Sequence, residues 1–286
     1  NINPRLTSGK IDDYMAAFDE ANGDMARMAL DNNLVDALKT RTEVRNELIN
    51  LAGLDEEKET FKHITFDNYL TAQKPPMPAP KAKDKPKISV VVARGQIVDG
   101  SQKAGMIGGD STAKLIRDAR NDENTKAIVL RIDSPGGSAF ASEIIRQELL
   151  QAKEDGIPVV ASMSSVAASG GYWIAADADK IIASPTTITG SIGVFGLLMN
   201  LEDSLAAIGI HSDSVSTTEI ESINPMEEMT DYQQTMIQKS VENTYDNFLS
   251  LVANARNMSK DDVHEIAQGR IWTGRQAMKR GLVDTL

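Results

Sequence analysis

The chain has 286 residues, with 41 acidic and 30 basic side chains and a formal net charge of −11. That balance excludes a nucleic-acid binder, which needs a basic face, and simple electrostatic adhesion to anionic lipid. There is no cysteine, so disulfides, thiol nucleophiles and zinc–thiolate sites are ruled out. No apolar run reaches the roughly eighteen residues of a membrane span.

Residues 1–72 read as helical and too small for an independent domain. Within them, Ala29-Leu-Asp-Asn-Asn-Leu-Val-Asp-Ala-Leu38 echoes Ala277-Met-Lys-Arg-Gly-Leu-Val-Asp-Thr-Leu286 at the other end of the chain. The echo predicts that residues 1–38 close an earlier copy of the same domain, making 1–72 the tail of an upstream repeat. Residues 73–87 contain five prolines and no periodicity, the composition of an extended linker or surface strap. From Ile88 to Leu286, strands and helices alternate, as expected of an α/β domain.

In that domain, Ile88-Ser-Val-Val-Val-Ala93 predicts the first strand. Ala127-Ile-Val-Leu-Arg-Ile-Asp133 predicts a second, broken by Ser134-Pro135-Gly136-Gly137-Ser138. An amphipathic helix through Ile144, Ile145, Leu149 and Leu150 follows. Successive glycines let the backbone approach a ligand and turn N–H groups towards it. Most Gly-Gly pairs are ordinary loop punctuation.

Ile157–Met163 predicts a buried strand, and the residues after Gly171 a helix. Between them lies Val166-Ala-Ala-Ser-Gly-Gly-Tyr-Trp173. A serine at a strand-to-helix turn presents its hydroxyl where free N–H groups favour developing negative charge. Ser169 is therefore a candidate nucleophile, or else a helix cap. Loops at the carboxyl ends of strands in one α/β array are where such folds place their sites. One loop would carry the nucleophile. The glycines, with the N–H of Gly170, would form an oxyanion hole.

Three motifs occur in order: Asp133-Ser-Pro-Gly-Gly-Ser138, Ala167-Ala-Ser-Gly-Gly-Tyr-Trp173 and Thr189-Gly-Ser-Ile-Gly-Val194. Together they resemble the signal peptide peptidase A family, membrane-associated Ser–Lys peptidases of the protease IV type. The resemblance covers essentially the whole chain. It matches the C-terminal half of the long two-repeat form, preceded by the tail of the first repeat. It implies a Clp protease/crotonase-like spiral of ββα units, with no cofactor and no metal. It implies Ser169 as nucleophile, and Gly136, Gly137 and Gly170 as oxyanion donors. The Ser191 hydroxyl would hold the base towards Ser169; its bland role is a turn hydroxyl. It further implies a homo-oligomer, with a tetramer as one form, at the periplasmic face of a bacterial inner membrane. The substrates would be hydrophobic peptides such as cleaved signal peptides.

A serine needs a base. His63, His211 and His264 lie outside the motifs. In shorter members of the resembling family the base lysine follows the third motif; the matching segment here, Asp213-Ser-Val-Ser-Thr-Thr-Glu-Ile220, contains none. In the long form the lysine comes from the first repeat, upstream of residue 1. Within the chain, Lys180 lies nearest to Ser169 in sequence and reads as a solvated strand end. Lys10 and Lys39 have no matching motif.

Apolar residues beside the motifs, foremost Val166, Ile192 and Val194, with Phe140, Phe195 and Leu197, are candidates for a peptide groove. Such residues are commonly core. An extended peptide would add as a strand at a sheet edge. Asp231–Asn257 predicts a long helix with Met236, Val241, Phe248, Leu249 and Val252 on a packed face. Two other functions fit the motifs: a catalytically silent scaffold half, and an acyl-CoA-binding protein of the crotonase type. The second lacks a visible basic pocket for nucleotide phosphate.

Overall fold

A computed structural model of the chain describes residues 10–55, 60–63, 85–213, 215 and 223–286. In chain order, α1 (Ile11–Glu20), α2 (Met25–Asp31) and α3 (Arg41–Ala52) lead to the two-residue strands β1 (Leu54–Asp55) and β2 (Thr60–Phe61). Then come β3 (Lys87–Arg94), β4 (Ile97–Val98), β5 (Ile107–Gly108), α4 (Gly109–Arg120), β6 (Thr125–Ser134), α5 (Ala139–Glu154) and β7 (Val159–Ala168). The remainder is α6 (Gly170–Trp173), β8 (Lys180–Ile182), β9 (Ile188–Gly190), α7 (Glu202–Ala206), α8 (Asp231–Arg256), α9 (Lys260–Ile266), β10 (Ile271–Thr273) and α10 (Gly274–Lys279).

These elements form two units. The larger comprises residues 39–192 and 251–286, the smaller 1–38 and 193–250. The division departs from the one expected at 73–87. Residues 39–55 and 60–63 belong with the larger unit, whereas 10–38 do not. Most of the proline-rich segment, and most of 213–220, lie outside the described residues.

The larger unit is an α/β layer. Its main sheet runs β10-β9-β7-β6-β3, with β8 beside the first half of β7. β3, β6, β7, β8 and β9 pair in parallel; β10 is antiparallel to β9. Strand alternation sends Ile128, Leu130 and Ile132 of β6, and Val159, Ala161 and Met163 of β7, into the core. Helical spacing on α5 buries Ala141, Ile145, Leu149 and Ala152. On the edge strand β3 the opposite residues Ile88, Val90 and Val92 remain exposed.

Register decides what this sheet can display. Ser134, the last residue of β6, pairs with Ala167 of β7, and Ala167 pairs with Thr189 of β9. Three parallel strands therefore end level with one another, and the loops that follow them emerge side by side.

α3 is fastened to the larger unit by charge. Arg45 of α3 (2.9 Å) and Arg117 of α4 (2.6 Å) both bond to Glu148 of α5, whose side chain is only 3% exposed. Burial pushes the Glu148 carboxyl up, but hydrogen bonds and charge from Arg117 and Arg45 outweigh it and hold it below the usual range. A lowered native value means the contribution is complete above the unfolded value of about 4.3 and is lost as pH falls through the native one.

The smaller unit has its own cluster of Ala17, Phe18, Ala21 and Met28, against which Tyr14, Met15 and Met236 pack. A cavity of about 290 Å³ is lined by Val194, Ile223 and one face of α8, including Met236, Ile237 and Val241.

Glu148→Ala strands two arginines in a buried setting. We expect a loss of roughly 3–5 kcal/mol at pH 7, read from urea denaturation. The difference from the parent should shrink as pH falls below the unfolded value of about 4.3 and through the lowered native one.

Candidate active site

The turn after β7 carries an unusual backbone conformation. Ser169 sits at φ +52°, ψ −122°, a conformation that costs a non-glycine residue about 1–3 kcal/mol. Its surroundings hold it there. The Ser169 N–H donates to Gly190 O (2.9 Å), and Ser169 O accepts from the N–H groups of Tyr172 (2.8 Å) and Trp173 (2.9 Å). The side chain, half-buried, makes no capping bond to α6. The cap reading of this serine is therefore not met. The geometry is a strand–turn–helix elbow that lifts a hydroxyl off the end of a sheet.

The loop after β6 lies against this elbow. Gly136 has φ +102°, and a Cβ placed on it would stand 2.7 Å from Gly170 N and 2.8 Å from Ser169 Cβ. Gly137 has φ +149°, and its Cβ would lie 1.9 Å from Ile97 O. β4 grips this loop through Ile97 N–H to Gly136 O (2.8 Å) and Ser138 N–H to Ile97 O (2.9 Å). No side chain fits at either glycine.

The three glycine N–H groups are not equivalent. Gly136 donates to the fully buried Ser134 Oγ (3.1 Å). Among the described residues, the N–H groups of Gly137 and Gly170 have no acceptor. They lie near each other, since a Cβ on Gly170 would be 3.3 Å from Gly137 N. Two unspent donors beside a strained serine form an arrangement able to receive an oxyanion.

Ser191 follows β9 at φ +49°, with its N–H on Arg270 O (2.8 Å). It joins the same row of carboxyl ends as Ser169 and the glycine loop. Asp133 does not point into chemistry. One of its carboxylate oxygens accepts the Val166 N–H at 3.3 Å.

The expected groove residues separate. Val166 is half-buried at the end of β7. Ile192 is fully buried, so it is core and offers no surface to a peptide, a correction to the groove reading. Val194 lies in the smaller unit and lines its cavity. Phe195 and Leu197, also in that unit, are almost fully exposed.

Six of the described lysines are committed elsewhere. Lys180 opens β8 opposite Val160, nine residues before Ser169 on an extended strand. At about 3.3 Å per residue the two are roughly 30 Å apart. Lys39, Lys87, Lys114, Lys153 and Lys239 each pair with a carboxylate.

α6 has a support that no sequence pattern announced. The fully buried Tyr172 donates its hydroxyl to Leu282 O (2.9 Å). Burial raises the pKa of this phenol well above its ordinary value. Leu282 belongs to the C-terminal segment, where Asp284 pairs with Arg256 and accepts the Ile181 N–H (2.7 Å).

Residues 151–286 match Peptidase family S49. The putative protease slr0021 of Synechocystis is 36% identical, over 72% of this chain and 72% of its own length. The chain belongs to peptidase family S49. Protease 4 of Salmonella typhi is 46% identical over 92% of this chain, and Protease 4 of Haemophilus influenzae 40% identical over 96%. This S49 chain spans 42% and 44% of those two relatives. Among solved structures, a ClpP1 point mutant from Listeria monocytogenes superposes with a TM-score of 0.47. That match has 16% identity and covers 68% of this chain and 89% of that one.

Gly137→Ala tests the fit of the glycine loop. We expect about 3 kcal/mol of destabilisation by urea denaturation, because backbone strain adds to a clash with the Ile97 carbonyl. Gly156→Ala, at φ +79° with open space around it, should cost only the strain, about 1 kcal/mol.

Proposed function

We propose that the chain carries the acyl-forming part of a Ser–Lys peptidase site. The observation behind this reading is the convergence of the strained Ser169 with two N–H groups, those of Gly137 and Gly170, that bond to no described acceptor. Ser169 Oγ attacks the scissile carbonyl carbon while its proton passes to a neutral lysine amine. The carbonyl oxygen, now anionic, takes both glycine N–H bonds. Collapse returns the proton to the departing amine and leaves an acyl-serine, which water then hydrolyses. Ser191, at the end of the adjacent strand, is assigned to orient the lysine.

The lysine is assigned to an upstream repeat. The resemblance to the long two-repeat form supports this, and so does the position of Lys180, the lysine nearest to Ser169 in sequence, about nine strand residues away. The echo segments support an upstream copy. Leu282 and Val283 are buried, whereas their counterparts Leu34 and Val35 are 46% and 42% exposed. A closing segment whose apolar residues lie open fits one made to cover another copy of the domain. The same distance of Lys180 from Ser169 favours a second reading, in which this chain without its partner half is catalytically silent.

We assign as substrates hydrophobic peptides, including remnants of signal peptides, taken by a homo-oligomer at the periplasmic face of the inner membrane. No helix among the described residues is long and apolar enough to cross a membrane, so the chain's described part contributes no anchor of that kind.

A fluorophosphonate probe on the full-length protein tests the reading. Ser169 should be labelled, Ser169→Ala should take no label, and peptidase activity should fall by at least about 10³-fold. An unlabelled Ser169 in the full-length protein overturns it.

A further inference from the structure

The oxyanion arrangement depends on two chain segments that are separate in sequence. Gly137 precedes α5, and Gly170 opens α6. Their N–H groups serve one oxygen only if α5 and α6 keep a fixed spacing. α5 and α6 touch in two ways. The first is close packing, with the buried Ser142 Oγ lying 2.5 Å from where a Cβ on Gly170 would stand.

The second is a ring of polar side chains. Trp173, at the end of α6, donates its indole N–H to Glu143 Oε2 on α5 (2.7 Å). Glu143 Oε1 is held by Arg146 (2.8 Å) and Gln147 (2.6 Å) on its own helix. Arg146 reaches back to Asp177 (2.5 Å), four residues beyond Trp173. The chain leaving α6 thus grips α5 at two points one helical turn apart. Trp173 is 6% exposed. A buried indole N–H bonded to an ionised carboxylate is a strong, directional contact.

We propose that Glu143 and Trp173 are positioning residues that set the separation of the Gly137 and Gly170 N–H groups. The proposal rests on the peptidase reading above. Neither residue touches the reacting atoms; they act through the two helices. A small misplacement of preorganised donors is expensive in rate, since an error of about 1 Å can cost ~100-fold.

The test uses the full-length protein, measuring the rate of fluorophosphonate acylation at Ser169, kcat and KM on a peptide substrate, and the melting temperature. Trp173→Phe keeps the aromatic bulk and removes the donor. It should slow acylation and kcat about 10-fold, with KM within twofold and folding retained. Glu143→Leu should reproduce that loss. Glu143→Gln keeps one acceptor oxygen for donors on both sides, so its rate should fall between those of the parent and Glu143→Leu. The pair Trp173→Phe with Glu143→Leu should be no slower than Glu143→Leu alone, because the indole bond is already lost in that variant. Parent-like rates in Trp173→Phe and Glu143→Leu would overturn the proposal, as would losses that follow only the unfolded fraction. A parent protein unlabelled at Ser169 would sink the peptidase reading and this role with it. A labelled parent with unaffected variants would remove the clamp alone.

Discussion

Hydrogen bonding between β6, β7 and β9 leaves their carboxyl ends level, with Ser134, Ala167 and Thr189 abreast. A strand's side chains alternate faces, so a slip of one residue would turn the whole buried set of β6 and β7 outward. The core therefore holds the register, and the register holds the site. The Pro-Gly-Gly loop, the Ser169 elbow and Ser191 emerge side by side because each leaves its strand at the same height.

That alignment is kept at a local cost. Ser169 and Ser191 both have positive φ, a region where side chains are unfavourable. Each is held by a main-chain bond to a neighbouring segment, Ser169 to Gly190 and Ser191 to Arg270. The bonds are made at the sheet end, where the backbone is no longer committed to a ladder. Glycine is required where two backbones meet with no room for a side chain, and Gly136 and Gly137 meet that description through contacts with the elbow and with Ile97.

The features that could be read in advance were those encoded by short-range pattern. Short apolar runs marked β6 and β7, and helical spacing marked α5. Asp231–Asn257 was expected to be helical and is helical to Arg256. Phe248, Leu249 and Val252 of its predicted packed face are buried. The three motifs identified the loops that meet. What could not be read depends on partners distant in sequence. Ile192 looks no different from a groove residue until the packing around it is known. The attachment of 39–55 rests on Arg45 finding Glu148 across 103 positions, and no local pattern announces it. Which glycine N–H is free turns on the rotamer of Ser134, a residue that the motif shows only as a turn former.

The bond from Tyr172 to Leu282 spans 110 residues. A chain is made from its amino end, so the helix bearing the elbow emerges long before its buried hydroxyl has an acceptor. Until Leu282 and the Asp284 latch exist, that phenol must be either solvated or left unpaired, and an unpaired buried hydroxyl costs about 1–3 kcal/mol. The helix bearing the elbow is thus completed only once residues 282–284 have been made. A chain ending before Leu282 would carry Ser169 and Gly170 on a helix whose buried hydroxyl has no acceptor.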